Sequence, residues 1–145
     1  MEKNIKEILS NSKTIAMVGV SKDLKKTSSI VMKYMQNFGY RVIPINPSAE
    51  GEIILGEKVY GNLQKIEISI DMVDVFRPSE EALGLAKDTI KIGARFFWLQ
   101  LGIKNLEAKK LLEANKIEYI ENKCTKIEYQ KHFLNNRQHF PVLQE

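Results

Sequence analysis

Cysteine, histidine, proline and glycine are all scarce in this chain of 145 residues, and each scarcity removes a class of answer. A single cysteine, Cys124, excludes a disulfide framework and any cysteine-based zinc site. The two histidines, His132 and His139, have no metal-ligand spacing and no carboxylate partner that sequence can identify. No apolar run approaches a membrane span, and the first residues (Met1, Glu2, Lys3, Asn4, Ile5, Lys6) lack an apolar signal region. A soluble, cytoplasmic protein is therefore expected, with no membrane partner. Charge of one sign is not concentrated either. The net charge is +4, but the lysines are interleaved with glutamates, without the basic face and stacking aromatics of a nucleic-acid binder. No nucleic-acid partner is expected.

Glycine is too sparse for the G-x-G-x-x-G dinucleotide fingerprint, and the one glycine that matters stands out for that reason. An apolar run (Ile15, Ala16, Met17, Val18) ends in Gly19, Val20 and Ser21, a basic loop follows (Lys22 to Lys26), and a helix is expected to open at Thr27, Ser28 and Ser29. Strand, glycine turn and helix N-terminus hold phosphate through free backbone N–H groups and the positive end of the helix dipole. A nicotinamide site would also carry an acid at the end of the second strand. Here Asn46 and Pro47 stand there, with no carboxylate before Glu50. The first expectation is a phosphate-bearing ligand other than an ordinary nicotinamide dinucleotide.

Periodicity organises the rest. Residues 3–11 form a short amphipathic segment, and strand one covers 14–19. Ile30, Tyr34 and Phe38 mark one helical face that Gly39 ends. Strand two runs from Tyr40 to Asn46, and Pro44, which lacks a backbone donor, predicts an irregular end. Residues 48–61 are left as a loop with a small turn, and a short helix is placed at 62–66. Strand three is 71–76, a helix over 80–92 stops at Gly93, and strand four is 95–99. Asn105 caps the next helix, strand five is 117–120, and a last helix covers 125–134. The tail 135–145, with Pro141, is read as extended or docked. Strands alternating with helices predict an α/β fold: a Rossmann-like, doubly wound, parallel five-stranded sheet in a three-layer sandwich, with strand order 3-2-1-4-5. One domain spans 1–145, with its core at 14–133. At the carboxyl edge of such a sheet stand Gly19 to Ser21, Asn46 and Pro47, Phe76 to Pro78, Gln100, and Asn122 to Cys124.

Five blocks of this chain, in order, resemble the small stand-alone CoA-binding proteins, which are similar to the amino-terminal domain of the succinyl-CoA synthetase alpha subunit. They are Ile15 to Ser21, Gly39 to Pro47, Asp74 to Arg77, Trp98 to Gly102, and Asn122 to Glu128. The resemblance covers about residues 14–133. It implies a Rossmann-like fold and binding of coenzyme A or an acyl-CoA through its ADP-like half. By matching block, Gly19, Val20 and Ser21 would wrap the diphosphate, and Ser28 and Ser29 would donate to it. Asn46 and Pro47 would lie along the nucleotide, and Phe76 and Arg77 would line the adenosine end. Lys25, Lys26 and Gln100 are further candidates, although the loop Lys22 to Lys26 is richer in lysine than the family pattern. Lys22, Lys25, Lys26 and Arg77 are the cations available to a diphosphate and a 3′-phosphate. In the synthetase the related domain works beside others that carry the phosphorylated histidine and the nucleotide site, and a carrier, a sensor or the partner of a separate catalytic subunit are the roles the resemblance leaves open here.

Each of these residues also has a plainer role. Gly19 could serve only a tight turn, Ser28 or Ser29 could cap the helix, and the lysines could form a solvated loop. Phe76 fits a core position, Arg77 a surface one, and Trp98, after Phe96 and Phe97, fits packing. Cys124 precedes the last helix between Lys123 and Lys126, which would favour a thiolate, but no base accompanies it, and a small buried residue is the reading. No catalytic constellation emerges. Two other classes stay open: an NAD(P)-dependent oxidoreductase or nucleotide-sugar enzyme, and a regulatory module without a ligand. Oligomeric state is not legible.

Overall fold

Strands buried on both faces need nearly continuous apolar runs, and the runs found in the sequence become the sheet. The computed structural model describes residues 4–134. The expectations for 135–145, with His139 and Pro141, lie outside the described residues.

The chain enters through α1 (Ile5–Ser10), whose N-terminus is closed by a reciprocal capping box between Asn4 and Glu7. Then come β1 (Thr14–Val18), α2 (Thr27–Asn37) and β2 (Arg41–Ile45). The stretch left as a loop holds a 3-10 turn (Pro47–Ala49) and a small antiparallel hairpin of β3 (Ile53–Ile54) and β4 (Glu57–Lys58). Leu55 and Gly56 turn that hairpin with positive φ at both residues (49° and 85°), as a two-residue primed turn requires. A further 3-10 turn (Leu63–Lys65) leads to β5 (Met72–Val75) and α3 (Ala82–Ile92), which ends on the left-handed Gly93. Then follow β6 (Phe96–Leu99), α4 (Leu106–Ala114) and β7 (Glu118–Ile120). The last helix is α only over α5 (Thr125–Tyr129) and continues as a π-turn through Gln130–Leu134.

All five long strands are parallel, in the order β2-β1-β5-β6-β7. Counting only these strands the order is 2-1-3-4-5, which corrects the expected 3-2-1-4-5. After β2 the chain crosses back to pair β5 with the other side of β1 (Ile15 opposite Met72), so β2 becomes an edge. Pro44 fits that position. Its carbonyl faces outward and accepts from the Tyr60 N–H at 3.1 Å, so its missing donor also faces the edge, not β1. Strand β2 stays regular through Ile45, contrary to the irregular end expected, and an isolated bridge between Ile45 and Tyr60 covers its outer side.

Two cores flank the sheet. Ile15, Met17, Met72, Phe96 and Trp98 face α1, α2 and α5 on one side. Ala16, Val18, Val73, Val75 and Phe97 face α3 and α4 on the other. The three-layer α/β sandwich is as expected. No helix among the described residues is long and apolar enough to cross a membrane.

A fully buried carboxyl group lies inside this sandwich. Asp74, fully buried in β5, accepts from Gln100 Nε2 at 2.6 Å and from Thr125 Oγ1 at 3.2 Å. Gln100 is thus a buried bridge between β5 and the start of α5. Burial pushes the Asp74 carboxyl up to about 7, against the opposing pull of its bonds from Gln100, Thr125 and the Val75 N–H. Between its ordinary value of 3.8 and about 7, native Asp74 keeps a proton that the unfolded chain has lost. Its contribution to stability is therefore complete below that window and is lost as pH rises through about 7. Asp74→Asn is expected to flatten the pH dependence of the urea midpoint across this window and to raise the midpoint at about pH 8. A variant whose pH profile parallels the wild type would show that the carboxyl titrates normally.

Candidate functional site

Strand β1 delivers its last residues to the carboxyl edge of the sheet, and Gly19 is there because nothing larger fits. Its φ is +93°, and a Cβ would stand 2.8 Å from the Phe76 carbonyl oxygen and 3.0 Å from Arg77 Cδ. The turn requirement and the close approach are therefore both real. The Gly19 N–H donates to the Ile45 carbonyl at 2.8 Å, tying the turn to the end of β2. Val20 points its side chain into the core, and its carbonyl accepts from Asn46 Nδ2 at 2.8 Å. Asn46 Oδ1 in turn accepts from the Ser48 N–H at 2.9 Å. One amide side chain thus orders two loops.

Ser28 and Ser29 do not cap α2. The N-cap is Lys26, with no side-chain cap bond, and the serines are the second and third helical residues. Both are buried and sewn to the glycine loop: the Ser21 N–H donates to Ser28 Oγ at 3.0 Å, and Ser29 Oγ donates to the Ser21 carbonyl. This holds the loop against the first turn of α2, where the N–H groups of Thr27, Ser28 and Ser29 have no preceding turn to bond. The basic loop is folded by Asp23, which accepts from the Lys25 N–H at 3.0 Å while its own N–H donates to Ser21 Oγ at 3.0 Å. Lys22 pairs with Glu52 at 3.4 Å, and Lys25 and Lys26 are exposed.

Beside this loop lies a cleft of about 470 Å³. Of the residues picked out in the sequence, Gly19, Ser21, Asn46, Pro47 and Arg77 line it. Val20, Ser28, Ser29, Phe76, Lys25 and Lys26 do not border it. Phe76 packs with its ring half-buried against the core on the α2 side, as the plainer reading had it. The cleft is completed by Ser48, Asn62 and Leu63 on one side and by Glu81, Leu85 and Asp88 on the other. Those last three recur at i, i+4 and i+7 along one face of the α3 region. That spacing was legible, but nothing in it distinguished a cleft wall from an ordinary solvated face.

Arg77 crosses the cleft floor on Gly19 and is gripped by Glu81 through two bonds, Nε to Oε1 at 3.0 Å and Nη2 to Oε2 at 2.6 Å. That hydrogen bonding holds the Glu81 carboxyl below the usual carboxylate range and raises Arg77 further. Asp88 accepts from Gln64 Nε2 at 2.9 Å. At the rim, Glu50 pairs with Lys65 at 2.5 Å and its carboxylate covers Gly61. Away from the cleft, Trp98 is buried with its Nε1 donating to the Lys123 carbonyl at 2.8 Å, and Cys124 is buried at the N-cap of α5. Both fill packing positions. His132 lies 3.5 Å from Glu128, one helical turn away. Sequence alone had not assigned it a partner.

A doubly wound parallel sheet with its cleft at the carboxyl edge, beside the glycine exit of β1, defines a Rossmann-like α/β protein. The chain belongs to the CoA binding domain family, whose model matches residues 13–130. It is 42% identical over 123 residues to the Bacillus subtilis (strain 168) protein YneT, covering 85% of this chain and 90% of YneT. A Thermus thermophilus protein, cell-free ID.343, superimposes with a TM-score of 0.85 at 32% identity, over 89% of this chain and 96% of that one. The apo form of the dinucleotide forming acetyl-coenzyme A synthetase 1 of Ca. Korarchaeum cryptofilum matches with a TM-score of 0.67 at 28% identity. That match covers 78% of this chain and 26% of the synthetase.

Gly19→Ala tests the close approach. Gly39 also has positive φ (+98°), but a Cβ there meets nothing within 4 Å, so Gly39→Ala reports the backbone cost alone, about 1–2 kcal/mol. Gly19→Ala is expected to cost about 2 kcal/mol more in urea denaturation, because the Phe76 carbonyl is main chain and cannot rotate away. Equal losses at the two glycines would mean that β5 yields freely at its exit.

Proposed function

We propose that this chain, read as one CoA-binding domain over 1–145, binds coenzyme A or an acyl-CoA through its ADP-like half at the β1–β2–β5 edge. The observation that carries the reading is convergence. Gly19, Ser21, Asn46, Pro47 and Arg77 come from three strand ends and meet on one cleft, in a chain of the CoA binding domain family. The cleft volume of about 470 Å³ lies within the range of small-molecule sites. In this reading the diphosphate lies against the Gly19 to Ser21 turn and is held by the N–H groups that open α2, because the Gly19 and Ser21 N–H groups are themselves bonded to the Ile45 carbonyl and Ser28 Oγ, with the Lys22 to Lys26 loop as a cationic flank. Ser28 and Ser29 act by fixing that loop. The nucleoside lies between Asn46, Pro47 and Ser48 on one side and Arg77 on the other, with Leu63 and Leu85 supplying apolar contact.

The end of β2 offers Asn46 and Ser48 where a NAD site would offer an acid, which favours CoA over a nicotinamide dinucleotide. No residue is assigned to bond making. The likeness to about a quarter of an acetyl-coenzyme A synthetase chain supports CoA presentation to a separate catalytic subunit.

A thermal-shift panel on folded, ligand-free protein tests the reading. CoA or acetyl-CoA at about 100 times its dissociation constant stabilises a native state that binds it by about 2.7 kcal/mol. A clear rise in Tm with these ligands, and none with NAD or NADP, is the expected result. No rise with any CoA form would overturn it, and a rise with NAD(P) alone would restore the oxidoreductase class.

A further inference from the structure

Among the described residues, Arg77 is the one cation that lines the cleft. Lys87 and Lys91 stand with Glu81 and Asp88 along a neighbouring groove on the outer side of α3. What Arg77 can hold depends on which of its donors are free. A guanidinium carries five N–H donors, and they make two forks: a side edge of Nε with one Nη, and an end edge of the two Nη atoms. Glu81 takes the side edge, accepting from Nε at 3.0 Å and from Nη2 at 2.6 Å. The donors left over, two on Nη1 and one on Nη2, form the end edge. None of them has a partner among the described residues.

The side chain is also held at both ends. Its stem lies on the β1 turn, with Cδ 3.0 Å from where a Gly19 Cβ would be. Its head is fixed by Glu81, and Glu81 is itself anchored. It closes a 3-10 turn (Ser79–Glu81), in which its N–H donates to the Pro78 carbonyl at 2.9 Å. Ser79 ties that turn to the loop after β6. The Lys104 N–H donates to Ser79 Oγ at 3.1 Å, and Asn105 Nδ2 donates to the Ser79 carbonyl at 3.0 Å. An exposed arginine ordinarily loses its rotamer freedom when a ligand arrives. Arg77 is ordered beforehand, with one fork occupied and the other open.

Resting on the CoA reading above, we propose that Glu81 is a positioning residue, which holds Arg77 so that its end edge takes two oxygens of one ligand phosphate. The carboxylate and the guanidinium neutralise one another, so Glu81 contributes orientation and not attraction. The sign of its effect is diagnostic. A bare carboxylate beside a phosphate weakens binding, and its removal tightens it. A carboxylate that aims a guanidinium strengthens binding, and its removal loosens it.

Isothermal titration of the full chain with CoA and with dephospho-CoA tests this through a double-mutant cycle on Arg77 and Glu81. Both side chains are exposed, so each variant is expected to keep the wild-type melting profile without ligand. Glu81→Ala is expected to weaken CoA binding about fivefold, the effect of freeing one long side chain. Arg77→Ala is expected to weaken it about twentyfold or more. In the Arg77→Ala background, Glu81→Ala is expected to change affinity by less than about twofold or to improve it, because no guanidinium is left to aim. A coupling seen with both ligands places the end edge on the diphosphate, and one seen with CoA alone places it on the 3′-phosphate. Glu81→Ala that binds CoA as tightly as wild type or tighter, or that loses the same factor when Arg77 is absent, would overturn the positioning role and leave the CoA site standing. Wild type that binds neither ligand would overturn the site itself, and this role with it.

Discussion

A missing methyl group organises the functional edge of this protein. Because Gly19 has no Cβ, the Phe76 carbonyl and the Arg77 stem can lie directly on the β1 turn. That contact brings the exits of β1 and β5 close enough to share one cleft. It also sets Arg77 across the floor, where Glu81 reaches it. The Gly19 N–H reaches the other way, to the Ile45 carbonyl, so the exit of β2 is joined too. Three strand ends are registered by one residue that contributes no side chain.

Around that point the protein uses polar side chains as stitching. Asn46 joins Val20 to Ser48, Ser28 and Ser29 join α2 to Ser21, and Gln100 joins Asp74 to Thr125. The Asn46 and Gln100 links span elements distant in sequence, and Ser28, Ser29 and Gln100 are buried. Loops at a strand edge cannot bury enough apolar surface to hold themselves in place, so hydrogen bonds to fixed elements supply the order that packing does elsewhere.

The strands and main helices were legible because burial on both faces writes itself as runs such as Ile15 to Val18 and Phe96 to Leu99, punctuated by Gly39 and Gly93. Strand order was not. It depends on which side of β1 the chain returns to after β2, and no residue pattern in 48–71 specifies that. The hairpin went unread because Leu55 occupies a turn position where asparagine or glycine would have announced it. At the cleft, Gly19, Ser21, Asn46, Pro47 and Arg77 were visible from their positions at strand ends. Glu81 and Asp88 were not, since a carboxylate on a helix face carries no mark of what it looks toward. The serines were found, and of their plainer readings the helix cap does not hold, because a hydroxyl near a helix start fits a cap or a tether equally well on paper.

The tethered loop has a kinetic consequence. Ser21 is fixed through its backbone N–H and carbonyl to two buried hydroxyls, and Asp23 folds the remainder of the loop onto itself. On the CoA reading, a ligand arriving at this edge meets a loop already held in place. On that reading, capture carries no cost for ordering this loop. The lifetime of the complex, governed by how well the cleft wall suits the far end of the ligand, becomes the quantity that separates one ligand from another.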